Sequence, residues 1–166
     1  MNRQIVNALS ASRILFGLLF LIAVLLDWGI LYLLIIYALA IISDILDGYW
    51  ARKYDIVVDS GSKIDVICDF LFIIFSTSAL VLIDLAPMWF LLIIILKLIE
   101  FFATSGRGAL KYERFGTFVA YMFYAFPIVA TVIDSKNISL ILTIIITVCA
   151  IASSLSRIKN MRELND

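Results

Sequence analysis

The stretch D-I-L-D-G-Y-W-A-R-K-Y-D-I-V-V-D-S-G-S-K-I-D-V-I-C-D, from Asp44 to Asp69, joins two long apolar segments. It brings two pairs of acids to the ends of those segments. Asp44 and Asp47 are three residues apart and Asp65 and Asp69 are four apart, so each pair shares one face of a helix. Ionisable groups inside apolar segments are costly and usually functional. These four carboxylates are therefore the candidate site.

The composition of the whole chain identifies its apolar segments as membrane-spanning helices. Of 166 residues, 64% are hydrophobic and 16% charged, and the mean hydropathy is +1.10. Soluble domains are about 45–50% apolar and about a quarter charged, so a core of this size cannot bury so much apolar surface. We predict an all-α integral membrane protein, a single domain over residues 1–166. Its six transmembrane helices, each near the length of about 20 residues that a span needs, are placed at 8–26, 30–46, 64–83, 85–102, 115–133 and 138–154.

Residue types that are absent or balanced exclude several functions. The chain has no histidine, and 13 basic residues balance 13 acidic ones. Nucleophilic schemes that pair Ser or Cys with His are excluded, as are the usual zinc sites. A net charge of zero gives no support to nucleic-acid binding.

The distribution of charge orients the helices in the membrane. The connections at 27–29, 84 and 134–137 hold three Asp and one Lys, whereas the other 12 of the 13 basic residues lie towards the opposite ends of the segments. Because cytoplasmic loops are rich in Lys and Arg, we predict a multi-pass cell-membrane protein with both termini and the active site in the cytoplasm. At about 1.5 Å per residue, Asp44 lies roughly 21 Å from Ile30, which is near the inner headgroup boundary.

The chemistry of the four acids favours a divalent metal ion. They cannot all stay ionised close together without a compensating cation, and oxygen-only ligation suits Mg²⁺, with Mn²⁺ as a substitute. Nearby, Arg52 presents a fork suited to phosphate oxygens, Gly48 leaves a shallow surface, and Gly61 is expected to allow a sharp turn before the third helix. The alternative interpretation is a set of helix-end charges facing water.

Positions 44–69 resemble the signature D-x2-D-G-x2-A-R-x8-G-x3-D-x3-D of the CDP-alcohol phosphotransferase family at every specified residue and spacing. Members have six transmembrane helices, with this motif at the cytoplasmic end of the second and third. The stretch N-A-L-S-A-S-R, residues 7–13, is similar to the N-x-[LI]-[ST]-x-x-R stretch that opens many members and helps to hold the CDP headgroup. Its alternative interpretation is a polar helix cap with a snorkelling Arg.

The resemblance implies a metal-dependent CDP-alcohol phosphatidyltransferase of phospholipid biosynthesis. Such an enzyme transfers the phosphatidyl group of CDP-diacylglycerol to an alcohol and releases CMP. The resemblance further implies that Asp44, Asp47 and Asp65 hold two Mg²⁺ ions. It implies that Asp69, also near the second ion, is the catalytic base, and that the protein is a homodimer. The expected contacts to the CDP-lipid are Asn7, Ala8, Leu9, Ser10, Gly48, Arg52, Val58 and Gly61.

The acceptor alcohol is expected near basic residues of the fourth helix and the loop after it. A pocket formed by Lys97, Arg107, Lys111 and Arg114 would suit a phosphorylated acceptor, and glycerol 3-phosphate is the commonest one in bacterial relatives. Inositol phosphate, inositol and serine are alternatives. The same basic residues can instead bind anionic lipid headgroups.

Two other classes of protein also use aspartates in membranes. An intramembrane prenyltransferase would have more helices and would lack the G-x2-A-R and G-x3-D-x3-D continuation. A divalent-cation carrier would need acids along a path across the bilayer, whereas Asp27, Asp84 and Asp134 lie alone at the far face. The motif therefore favours the phosphatidyltransferase.

Overall fold

The computed structural model describes residues 3–53, 59–105 and 114–163, with side chains at 10–50, 65–103 and 116–158. Among these residues all regular structure is helical, which confirms the predicted all-α fold class. The six helices are α1 (Arg3–Leu25), α2 (Ile30–Lys53), α3 (Asp59–Leu82), α4 (Met88–Ser105), α5 (Arg114–Ile133) and α6 (Lys136–Glu163).

Each helix corresponds to one predicted apolar segment, and several continue beyond it. Helix α2 runs on to Lys53, and α3 begins at Asp59, five residues before its apolar segment. Asp and Ser are favoured at helix N-termini because their side chains accept hydrogen bonds from free backbone N–H groups, so the segment 59–62 is suited to start a helix. Gly61 lies inside α3, and the prediction of a sharp turn there is wrong.

Within the described residues, four helices are long and apolar enough to cross a membrane. Large apolar side chains are exposed on these helices, as in α2, where Leu31 is 65% exposed. Such exposure is unfavourable in water and suits contact with lipid. The candidate spans are Ile30–Trp50, Asp65–Leu82, Gly116–Ile133 and Lys136–Ile158, while the apolar part of α1, Ser10–Leu25, is shorter.

The chain divides into two compact units, of which the first is Met1–Ile83. Within it, α1 packs against both α2 and α3. Tyr37 of α2 meets Phe20 of α1 and Phe72 of α3 edge to face, with ring centroids 5.6 Å and 5.0 Å apart. Aromatic contacts of this kind link the three helices that carry the candidate site.

The second unit is Asp84–Asp166, in which α6 packs against α4 and α5. Phe90 of α4 is fully buried, and its ring centroid lies 4.9 Å from that of Phe126 of α5. The two units therefore each have their own aromatic core. That they form one domain over residues 1–166 stays a prediction.

Three short turns each hold an Asp in the left-handed region. Asp27, Asp84 and Asp134 have φ values of 50°, 61° and 46°. After α1, the backbone N–H of Trp28 donates to the carbonyl of Ala23 at 3.0 Å, a bond of the Schellman type. Asp tolerates this conformation because its short side chain can hydrogen-bond locally. These acids therefore end helices, unlike the four acids of the candidate site.

At Gly17, α1 lies close to α3. A Cβ atom added at Gly17 would lie 3.1 Å from the Phe72 Cα and 3.3 Å from the Phe75 Cβ. Gly17 is one helical turn from Arg13, and Phe72 is one turn from Asp69. The missing side chain thus sets the spacing of the two helices next to the site.

We expect Gly17→Val to lower the thermal stability of the purified protein by several degrees. The added methyl groups meet helix backbone, which cannot move as a flexible side chain would, and overpacking of this kind costs about 1–3 kcal/mol. The matched control is Ala11→Val, which also ends in a valine side chain but at an exposed position of α1. Equal melting temperatures for the two variants in detergent would contradict the close approach.

Candidate active site

Arg13 of α1 lies at the centre of the four carboxylates, with its side chain 0% exposed. Its Nη1 atom donates to Asp44 at 2.7 Å and also to Asp69. Its Nη2 atom donates to Asp47 at 2.5 Å and also to Asp65. Each terminal nitrogen therefore bridges one carboxylate of α2 and one of α3.

Asp47 is the most enclosed of the four acids. Its side chain is 4% exposed, against 30–45% for the other three. Ser10 of α1 donates from Oγ to Asp47 Oδ2 at 2.9 Å, and this is the oxygen that also accepts from Arg13. Helix α1 thus supplies two donors, one turn apart, to a single buried carboxylate oxygen. The hydroxyls of Ser12 and Ser43, 2.7 Å apart, add a further polar link between α1 and α2.

Three of the acids are close enough to hold a metal ion. One carboxylate oxygen from each of Asp44, Asp47 and Asp65 lies within 4.8 Å of the other two. All the donors are oxygens, the type that Mg²⁺ and Mn²⁺ prefer. Asp69 reaches the same centre through its bond to Arg13. The residues present therefore fit the predicted divalent metal.

The charge of the cluster is only partly balanced by Arg13. With all four carboxylates ionised, one guanidinium leaves a formal charge of −3 on this group. Buried or half-buried charges need close partners of opposite sign. Among the residues that the structure describes, the buried Nε of Arg13 has no hydrogen-bond acceptor. The site thus combines an excess of negative charge with an incompletely satisfied cation.

The residues predicted to contact the CDP-lipid, and the loop residues predicted to bind the acceptor, are described in part. Ser10 is buried against Asp47, and Gly48 is half-buried in α2. For several others only the backbone position in a helix is described, and three lie outside the described residues. The residues with only a described backbone position are Asn7, Ala8 and Leu9 in α1, Arg52 in α2, Gly61 in α3 and Arg114 at the start of α5. The residues outside the described part of the chain are Val58, Arg107 and Lys111.

Lys97, predicted to bind the acceptor, forms a polar cluster between α4 and α6. Its Nζ donates to Glu100 Oε2 at 3.0 Å and to Ser154 Oγ at 2.9 Å. Ser154 Oγ in turn lies 2.7 Å from the same Glu100 oxygen, to which it donates. Lys97 and Glu100 are 15% and 21% exposed, so their charges are paired with each other within apolar helices, as the cost of an unpaired charge requires.

Arg13 is the site residue that the sequence analysis left out. It was considered only as the last position of the stretch 7–13, with a snorkelling Arg as the alternative interpretation. Two signals were available: an Arg inside an apolar segment needs an anionic partner, and Arg13 lies three residues after Ser10, on the same helix face. What the sequence could not provide was the packing of α1 against both acid-bearing helices.

Comparison with known proteins identifies the family. Residues 3–152 match the family model described as CDP-alcohol phosphatidyltransferase. The chain belongs to this family. The predicted family is thereby confirmed, and membership together with the apolar helices makes this a membrane protein.

One relative of this family member is the CDP-diacylglycerol--glycerol-3-phosphate 3-phosphatidyltransferase of Bacillus subtilis (strain 168). The two are 32% identical over 115 residues, which is 61% of this chain and 58% of the relative. The match therefore spans somewhat more than half of the relative's length. The four acids of the CDP-alcohol phosphatidyltransferase signature all lie within residues 3–152.

Proposed function

We propose that this family member transfers the phosphatidyl group of CDP-diacylglycerol to an alcohol and releases CMP. The observation that carries the proposal is the convergence of the four signature carboxylates of α2 and α3 on one buried position, occupied by the guanidinium of Arg13. The family match over residues 3–152 supports it. Transferase function in phospholipid biosynthesis is what the family and the relative indicate.

We propose that Asp44, Asp47 and Asp65 hold two divalent ions, Mg²⁺ or Mn²⁺. The proximity of their oxygens, within 4.8 Å, supports this assignment. When bound, such ions would neutralise the charge on the pyrophosphate and on departing CMP. Arg52, Gly48, Val58, Gly61 and the stretch from Asn7 to Ser10 would hold the CDP moiety.

We propose that Asp69 is the catalytic base. A carboxylate oxygen of Asp69 takes the proton of the acceptor hydroxyl while the acceptor oxygen bonds to the lipid-bearing phosphorus. The bond from that phosphorus to the oxygen bridging it to CMP breaks, and CMP leaves with the electron pair. Asp69 is 30% exposed, so it is open to an approaching hydroxyl, unlike Asp47.

We propose glycerol 3-phosphate as the acceptor. The name of the Bacillus subtilis relative supports this choice, although the match covers 58% of that protein. Inositol phosphate, inositol and serine are the alternatives from the sequence. We further propose a cytoplasmic active site, from the charge of the loops, and a homodimer, from the family resemblance.

The purified protein, incubated with CDP-diacylglycerol, Mg²⁺ and single alcohols, tests both the reaction and the acceptor. We expect CMP release with glycerol 3-phosphate and much less with inositol phosphate, inositol or serine. Release with another alcohol would replace the acceptor and keep the reaction. Absence of CMP release with every alcohol, together with metal flux into liposomes, would favour the cation carrier instead.

Substitutions at Lys97 and Glu100 test whether Lys97 binds the acceptor phosphate. The Lys97 ammonium is paired with the Glu100 carboxylate, so Glu100→Gln should free it and lower KM for glycerol 3-phosphate by several fold. Lys97→Met should raise this KM about tenfold or more. The control Ser154→Ala keeps both charges and should leave KM unchanged. Loss of thermal stability in Lys97→Met and Glu100→Gln with unchanged KM would instead make the pair a structural link between α4 and α6.

A further inference from the structure

We propose that Arg13 is an internal counter-cation that competes with divalent ions for the four carboxylates. Without metal it holds the acids of α2 and α3 together; metal binding releases its guanidinium from some of them. This inference rests on the metal site of the proposed function.

The first support is the pattern of its hydrogen bonds. Both terminal nitrogens of Arg13 bridge an acid of α2 to an acid of α3, and these include the three acids whose oxygens can hold a metal. The guanidinium and a bound ion would therefore share the same carboxylates. Four neighbouring carboxylates repel one another. A cation at this position offsets that repulsion, as a metal ion would.

The second support is that the guanidinium is a poorer partner for this cluster than metal ions would be. One positive charge faces four carboxylates, whereas two divalent ions would match the four negative charges in number. The buried Nε atom lacks an acceptor within the described part of the chain, so the present position of Arg13 leaves a donor unsatisfied, which is unfavourable. Release from the acids would relieve that penalty.

The third support is that Asp47 keeps a partner when Arg13 leaves. Ser10 donates to the Asp47 oxygen that Arg13 also contacts. The contact between α1 and α3 at Gly17 does not depend on the charge of Arg13. The framework of the site is thus expected to persist through the exchange of one cation for another.

Mn²⁺ binding to Arg13→Gln tests the inference without any lipid substrate. The chelator-treated protein in detergent is titrated with Mn²⁺, and the free ion is followed by electron paramagnetic resonance. We expect the Kd for Mn²⁺ to fall about tenfold or more relative to wild type, because a competing positive charge a few ångströms away is gone. Arg13→Lys keeps the charge, so its Kd should stay closer to wild type.

Thermal stability supplies an independent measurement on the same proteins. Without metal, Arg13→Gln should melt several degrees below wild type because its carboxylates are unbalanced, and saturating Mn²⁺ should close most of that gap. Arg157→Gln removes an Arg from α6 as a matched control and should change neither Mn²⁺ affinity nor the metal-dependent stabilisation.

The outcomes separate this inference from the proposed function. Mn²⁺ binding that is weaker or unchanged in Arg13→Gln, while wild type binds Mn²⁺ and releases CMP, would overturn the inference alone. No Mn²⁺ binding by either protein would overturn the proposed metal site, and the inference with it. Equal metal-free melting temperatures of wild type and Arg13→Gln would also overturn the inference, because Arg13 would then not hold the acids together.

Discussion

Asp69→Asn is expected to lower the turnover of CDP-diacylglycerol by about 100-fold to 10,000-fold, the range that a positioned general base contributes. The amide has nearly the same shape as the carboxylate and still accepts a hydrogen bond from Arg13 through its oxygen, so the helices should stay packed. It cannot take a proton from the acceptor hydroxyl at neutral pH. The measurement is transfer of radiolabelled acceptor to lipid by the purified variant.

The control for Asp69→Asn is Asp27→Asn. Asp27 is an exposed acid in a turn of the same unit, at a left-handed φ of 50° that Asn also adopts. This variant should keep wild-type turnover. For Asp69→Asn, KM for the lipid should change little while kcat falls, because the base acts on the acceptor. Turnover near the wild-type rate in folded Asp69→Asn would contradict the assignment of Asp69 as the catalytic base.

The helices were predictable because each contains an apolar segment. In a membrane every backbone N–H and C=O must be paired within the segment, so the β-branched residues of these segments did not mislead the prediction. The ends were less predictable. Helix α2 continues to Lys53 and α3 includes Gly61, because helical hydrogen bonding extends past the apolar boundary into the polar region, where hydropathy carries no signal.

The acids of the site were predictable because their spacing is a local property. Asp44 and Asp47, like Asp65 and Asp69, share a helix face whatever the tertiary structure. The partner of the acids was not predictable in this way. Arg13 lies 31 residues from Asp44 and 56 from Asp69, and its central position depends on how α1 packs against two other helices. The pairing of Lys97 with Glu100 has the spacing i, i+3, yet the contribution of Ser154 again required the fold.

Removal of divalent metal is expected to abolish CMP release. Metal ions supply several kcal/mol of charge stabilisation in reactions of this kind, which corresponds to about 1,000-fold or more in rate. CMP release is measured after treatment with excess EDTA and again after addition of Mg²⁺ beyond the chelator, which should restore it, as should Mn²⁺. EDTA already saturated with Mg²⁺ is the control for effects of the chelator itself.

The loss of activity on chelation should not be a loss of fold. Arg13 bridges α2 and α3, and we expect these bonds to persist after chelation. The melting temperature should therefore stay well above the assay temperature while CMP release is absent. Asp65→Asn should need a higher Mg²⁺ concentration for half-maximal activity, because one of the three clustered carboxylates is lost. Undiminished CMP release in excess EDTA would remove the metal from the proposed mechanism. Unfolding on chelation would show instead that Arg13 cannot balance the carboxylates alone.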